Sequence, residues 1–146
     1  MPHITIALDP AKGPLVKLVV GVSAARLQAL HTASQPVPSP IVVTFLIDTG
    51  ASSTVIDEID LAPLGLVPKN HVPVHTPTTD GTPQMLAQYD VGLGMMHADN
   101  SRFFSSVPII ATNLRCQGIG GLLGRDILNK CLLVYDGATG TFTLAF

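Results

Sequence analysis

Val42 to Thr54, VVTFLIDTGASST, constrains this chain more than any other stretch. An apolar, β-branched run delivers one carboxylate, Asp48, onto a Thr-Gly turn. Ile41 to Ile47 contains one hydroxyl, Thr44, and no charge, which predicts a strand covered on both faces. Asp48 then arrives at or near the interior. Desolvation disfavours a charge there, so the carboxylate must be hydrogen-bonded, paired or partly neutralised. Gly50 allows a tight turn or the close approach of a ligand. Thr49 and Ser52 to Thr54 add hydroxyls able to bond backbone or carboxylate oxygens. Taken alone, Asp48 also fits a turn or capping aspartate bonded to backbone N–H groups.

At 146 residues the chain suits a single domain, residues 1–146, with a sizeable core. It is 47% hydrophobic and only 12% charged, a balance that predicts some apolar surface covered by a partner subunit. A net charge of -2, with no run of Lys and Arg, argues against nucleic acid as a partner. No apolar run approaches the ~20 residues that cross a bilayer, and no basic-then-apolar leader opens the sequence. The expectation is a protein away from membranes, in the cytoplasm or released from a larger polyprotein. Cys116 and Cys131 form no CxxC pair and sit beside apolar residues, which predicts buried thiols in a reducing compartment.

The 12 prolines and 13 glycines predict many turns and few long helices. His3 to Asp9 alternates as a half-buried strand, and Leu15 to Val22 is a second one. Ser23 to Ala33 fits a helix or a continued strand; the β-rich surroundings favour the strand. Prolines at 36, 38 and 40 make an extended loop before the central strand. Ile56 to Leu64 predicts a short helix with Asp57, Glu58 and Asp60 early and Gly65 at its end. His71 to Val91 reads as two antiparallel arms around a turn at Thr78 to Gly81, with Asp80-Gly81 as the turn signal. Gln84 to Met95 returns, Asp99-Asn100 turns, and Arg102 to Ala111 is a further strand. Gly124 to Lys130 forms a second short helix, followed by strands at Cys131 to Tyr135 and Thr141 to Phe146. Both chain ends thus read as half-buried strands, and pairing between two subunits would cover them.

Several chemistries find no support. The five histidines at 3, 31, 71, 75 and 97 show no HExxH or HxH arrangement, so no metal is expected. GIGGLLG superficially resembles a dinucleotide fingerprint, but its glycine spacing differs and too little chain follows for a βαβ unit; no cofactor is expected. No G-x-S-x-G elbow is present, and neither cysteine has an obvious histidine neighbour in sequence.

What remains is the strand with Asp48-Thr49-Gly50-Ala51 and, about 75 residues later, Leu122-Leu123-Gly124-Arg125-Asp126. Phe45 to Ser52 and Gly121 to Leu128, in this order with a hairpin between them, resemble the retroviral-type, or retropepsin-like, single-domain aspartic proteases. The resemblance spans roughly residues 41–146 and leaves Ser23 to Pro40 without a counterpart. It implies an all-β fold, a small closed barrel-like acid protease domain with one or two short helices, functioning as a symmetric homodimer. It further implies an aspartic endopeptidase acting on peptide or protein substrates, with Asp48, Thr49 and Gly50 as catalytic residues.

By the same resemblance, Thr49 reaches across to the partner's loop, Gly50 contacts substrate backbone and Ala51 lines the site. Thr78, Thr79, Asp80, Gly81 and Thr82 occupy the place of the flap tip, which here has Gly81 alone instead of two adjacent glycines. Leu122 and Leu123 pack behind Asp48 and border the substrate. Arg125 braces the dimer, but the acid expected just after the turn is replaced by Ser52 and Ser53. Asp57, Asp126 or backbone carbonyls are therefore the candidate partners of Arg125. An alternative keeps the fold and drops the catalysis, leaving a silent dimerisation or peptide-binding module.

Overall fold

Alternation of branched apolar residues builds the first strands of the barrel wall. The computed structural model describes residues 1–77, 80–98 and 100–146. His3–Ala7 forms β1, Leu15–Val22 forms β2 and Ile41–Ile47 forms β3. β2 buries Val16, Leu18, Val20 and Val22 and leaves Lys17 outside, the period of two that a half-buried strand requires. β3 lies antiparallel to it, with Leu15 opposite Leu46 and Val20 opposite Ile41. Val43, Phe45 and Ile47 are buried, whereas Val42 is 67% exposed. The expected burial of β3 on both faces is therefore corrected. It belongs to a wall with an inside and an outside.

The remaining strands are β4 (Val55–Asp57), β5 (Asn70–Val74), β6 (Gln84–His97), β7 (Asn100–Thr112), β8 (Gly121–Leu123), β9 (Leu132–Asp136) and β10 (Thr141–Ala145). The order β2-β3-β8-β4-β7-β6 closes on itself because β6 also pairs with β2, from Val19 opposite Gly94 to Val22 opposite Val91. Closure of this six-strand barrel gives most wall strands neighbours on both sides. β5 hangs outside the ring and, among the described residues, pairs only with the Gln84 to Gln88 part of β6. Strand makes up 49% and helix 16%, so the fold is all-β as expected. Phe45, Ile56, Leu93, Ile109, Leu123 and Phe142 are among the residues that fill the core.

A second sheet, in the order β1-β10-β9, flanks the barrel. His3 lies opposite Ala145 and Ala7 opposite Thr141, so the two chain ends pair with each other inside one chain. Each chain end thus has a strand partner within one chain. Phe142 and Leu144 project from this sheet into the common core.

Helices are short. α1 covers Ala24–Thr32, where a continued strand was expected. The Ser23 hydroxyl accepts the Arg26 N–H at 3.3 Å and caps the helix, and only Leu30 of α1 is buried. Capping and good helix formers outweigh the β character of the flanks. α2 covers Glu58–Leu61, capped by Asp57, and a 3-10 turn at Ala62–Leu64 ends on Gly65 at a φ of 57°. α3 covers Arg125–Leu128. No helix among the described residues is long and apolar enough to cross a membrane. Both cysteines are free thiols; Cys116 is exposed and Cys131 half-buried, which corrects the expected burial of both.

One contact holds the barrel seam at the site. A Cβ at Gly121 would lie 2.5 Å from the Phe45 ring and 2.7 Å from the Val55 carbonyl oxygen, so only glycine lets β8 lie between β3 and β4. Gly121→Ala is expected to destabilise the fold by about 1–3 kcal/mol, as other overpacked cores do. Denaturant unfolding measures this; an unchanged midpoint would contradict the account of the seam.

Candidate active site

β3 carries Asp48 to the end of the barrel wall and β8 fixes it there. The strands are parallel, with Ile47 opposite Leu123, and the Asp48 N–H donates to the Leu123 carbonyl at 3.0 Å. The chain then folds back on the carboxylate. Asp48 Oδ1 accepts the N–H of Gly50 at 2.9 Å and of Ala51 at 3.2 Å. A side chain at Gly50 would start 3.1 Å from that oxygen, so the glycine keeps the turn tight. Asp48 is half-buried, as is Ala51, while Thr49 and Gly50 are exposed. The turn role is thus real, and both of these bonds fall on Oδ1.

α3 grips the same turn from below. The Arg125 N–H donates to the Ala51 carbonyl at 2.9 Å. Arg125 Nη1 donates to the carbonyl oxygens of Thr49 at 2.8 Å and Gly50 at 3.2 Å. Of the three partners left open for Arg125, the structure selects backbone carbonyls. Asp126 holds the other side: its Oδ2 accepts the Thr54 N–H at 3.0 Å and its Oδ1 accepts the Thr54 hydroxyl at 2.8 Å. The Thr54 oxygen in turn accepts the Gly124 N–H at 3.2 Å. A Cβ at Gly124 would sit 2.5 Å from the Ser53 carbonyl carbon, so the two segments approach backbone to backbone.

The sequence offered Thr54 as a hydroxyl able to bond a carboxylate and Asp126 as a candidate partner of Arg125, but did not pair the two with each other. The available signal was weak: a third consecutive hydroxyl in an apolar setting, and an acid directly after the Gly-Arg pair. Asp57 is a third carboxylate: it opens the short helix as the sequence predicted, and sequence reasoning missed only its bond to the Leu114 turn. It is 1% exposed and caps α2 through Ile59 and Asp60 at 3.0 and 3.3 Å, while its other oxygen accepts the Leu114 N–H at 2.8 Å. Arg115 Nε lies 3.7 Å away. Burial pushes the Asp57 carboxyl up, but the three N–H bonds and Arg115 together outweigh it and hold it below the usual carboxylate range.

Leu123 is wholly buried in the core and Leu122 is half-buried opposite Leu46, so Leu123 supports Asp48 from behind. Asp80, Gly81 and Thr82 are exposed near the tip of the β5–β6 hairpin, with Asp80 at a φ of 41° and Gly81 at 80°. Thr78 and Thr79, and Asp99 of the next turn, lie outside the described residues. Among the described residues no three His, Cys, Asp or Glu side chains group as metal ligands.

The sequence profile described as aspartyl protease matches residues 40–127, which takes in the Asp48 turn, the hairpin and Arg125. The chain belongs to the aspartyl protease family. Its structure is similar to a retropepsin-like aspartic protease from Rickettsia conorii, with a TM-score of 0.64 over 99% of this chain and 91% of that one, at 16% identity. A protease of EIAV complexed with the inhibitor HBY-793 matches with a TM-score of 0.48 over 86% of this chain and 93% of that one, at 14% identity. The fold of this family member is retropepsin-like. A search of curated proteins finds no match.

Two measurements test the hydrogen-bonded support. Thr54→Val strands the Gly124 N–H and part of the Asp126 carboxylate, and is expected to cost about 1–3 kcal/mol; an unchanged unfolding midpoint would contradict it. A carboxyl held low in the fold contributes stability that is fully present above its unfolded value and is lost as pH falls through its folded value. Stability should therefore decline as pH drops from about 4 toward the lowered Asp57 value. Asp57→Asn should flatten that part of the acid limb. An identical pH profile in the variant would overturn the assignment.

Proposed function

We propose that this protein is an aspartic endopeptidase in which two copies each supply one Asp48. The observation that carries the reading is the Asp48 carboxylate on a turn clamped by Arg125 and Leu123, in a chain of the aspartyl protease family. The sequence contains one Asp-Thr-Gly, so a pair of such turns requires a second copy. The single domain then functions as half of an active unit. β9 offers an open sheet edge with Leu132 and Val134 exposed, surface suited to coverage by a partner.

Two carboxyls within hydrogen-bond reach cannot both ionise cheaply, so the pair shares one proton, as aspartic protease dyads do in general. The ionised member draws a proton from a bridging water while its protonated partner hydrogen-bonds the peptide carbonyl. Water adds to the carbonyl carbon, a neutral gem-diol forms, and proton transfer to the amide nitrogen breaks the C–N bond. No metal and no covalent enzyme intermediate take part.

In this reading Thr49 contacts the partner's turn, Gly50 receives substrate backbone, and Ala51 and Leu122 line the cleft. The tip of the β5–β6 hairpin, with Asp80, Gly81 and Thr82, closes over the peptide, which binds extended as an added strand. Arg125 braces the dimer through its own turn, because its guanidinium fixes the Thr49 and Gly50 carbonyls. Apolar side chains are preferred near the scissile bond.

The replacement of the post-turn acid by Ser52 and Ser53 favours one rival, a silent dimerisation or peptide-binding module. Asp48→Asn separates the two. It should lower kcat/KM on an apolar peptide library at acidic pH by about 10²–10⁴-fold, with the dimer retained. Unchanged cleavage refutes the dyad. Activity per subunit should also fall on dilution below the dimer dissociation constant, because half a site has no pair of carboxyls. Strict proportionality far below that constant would refute the shared site.

A further inference from the structure

The flanking sheet β1-β10-β9 has two outer edges, and they differ. β1 shows His3, Thr5 and Ala7 to solvent and no exposed large apolar side chain. β9 carries Leu132, Val134 and Tyr135, 57%, 49% and 57% exposed, with no charge before Asp136. The direction of its backbone groups follows from its neighbours. The Leu8 N–H donates to the Gly140 carbonyl at 2.8 Å and the Phe146 N–H to the Pro2 carbonyl at 3.0 Å, so the even residues of β10 face β1 and the odd ones face β9. Leu132, Val134 and Asp136, opposite Ala145, Thr143 and Thr141, therefore bond β10. Leu133 and Tyr135 turn their N–H and C=O outward, where no strand among the described residues lies.

That edge matches a reversed copy of itself. With Val134 on a two-fold axis, Leu133 lies opposite the partner's Tyr135 and Tyr135 opposite the partner's Leu133, and each pair exchanges both backbone bonds. Val134 meets the partner's Val134 as a non-hydrogen-bonded pair, with Cα atoms about 4.5 Å apart. This register overlaps the whole of Leu132–Asp136, and a shift either way leaves an end unpaired. Charge supports the antiparallel sense. Arg102 and Lys130 lie over the Phe104 ring at 5.0 and 5.2 Å, and Arg102 Nη1 donates to the Lys130 carbonyl at 3.0 Å, a basic cluster just before β9. Asp136 stands at the other end. Reversal sets the acidic end of each strand toward the basic end of its copy, whereas parallel pairing sets like charges together.

We infer that β9 pairs antiparallel with β9 of a second copy about Val134, so that the flanking sheets of two copies join in one continuous sheet. No strand is exchanged: β1 stays on its own β10. That the occupant is a second copy rests on the reading of one Asp48 per chain; the edge geometry and the charges stand apart from it. The pairing reaches the Asp48 turn by a short path. Residues 129–131 join α3 to β9, with the Lys130 and Cys131 N–H groups tied back to the Ile127 and Leu128 carbonyls at 2.9 and 3.0 Å. α3 in turn holds the Thr49 and Gly50 carbonyls through Arg125. Fixing β9 across the axis thereby links the placement of the two turns.

Amide hydrogen exchange and sedimentation of the full-length protein test this. In wild type, the Leu133 and Tyr135 N–H groups should exchange slowly at concentrations where the protein sediments as a dimer and rapidly on dilution to the monomer. The Val134 N–H, bonded to β10, should stay protected in both. Val134→Lys and Val134→Glu, at an exposed position, each set like charges face to face on the axis and should raise the dimer dissociation constant at least about tenfold. An equimolar mixture of the two should regain the dimer, because opposite charges then meet. The wild-type exchange pattern decides the matter if either variant does not fold. Rapid exchange of Leu133 and Tyr135 in the dimer, a wild type that sediments as a monomer at every concentration, an unchanged constant in a folded variant, or a mixture no better than its components would overturn the inference. Failure of the dyad itself would appear separately, as a dimer with this exchange pattern in which Asp48→Asn still cleaves.

Discussion

A short hydrogen-bonded seam between two segments about 75 residues apart in sequence carries the rest of the structure. On one side lies the turn after β3; on the other lie β8 and the start of α3. Arg125 takes the carbonyls of Thr49 and Gly50, Asp126 takes the N–H and hydroxyl of Thr54, and Leu123 takes the Asp48 N–H. Each buried polar group in this seam has a partner, and a buried side-chain polar atom without one is absent among the described residues. Glycines at 121 and 124 let the backbones meet. The Asp48 carboxylate is thereby given a fixed position at the end of the barrel wall from inside the chain.

The missing acid after the turn changes how that rigidity arises. Where pairing with an acid just after the turn was implied by resemblance, Arg125 bonds the carbonyls of the turn itself. The turn is thereby organised from within one chain. Asp57 performs a comparable service farther along, joining β4, α2 and the Leu114 turn through one buried carboxylate. The two acids differ in setting. Asp57 is enclosed and satisfied by three N–H donors, while Asp48 is half-buried and next to an exposed Thr-Gly pair.

Much of this was legible in the sequence where the signal is local. The apolar run into Asp48, the glycine-rich approach to α3, and the Asp80-Gly81 turn each depend on neighbours within a few residues. The reading of Ser23 to Ala33 failed because surrounding composition was weighed above a local serine cap. The two-faced burial expected of β3 failed because Val42 is apolar yet faces outward, and residue type alone does not mark a side. Pairing of His3 with Ala145, and of Thr54 with Asp126, is set by long-range register that leaves no trace in spacing. The distant partners of Thr54 and Asp57, Asp126 and the Leu114 N–H, were hidden for the same reason: a buried polar residue shows such partners only once the fold exists.

The central claim is that two Asp48 side chains meet over a peptide-sized cleft. A crystal structure of the assembled protein with a peptide bearing a hydroxyl in place of the scissile amide tests it most directly. The account predicts a two-fold assembly with the Asp48 carboxyls within hydrogen-bond reach, about 2.5–3.0 Å, and the inhibitor hydroxyl between them. An assembly that holds the two carboxyls far apart, or a monomer that binds the inhibitor away from Asp48, would contradict it.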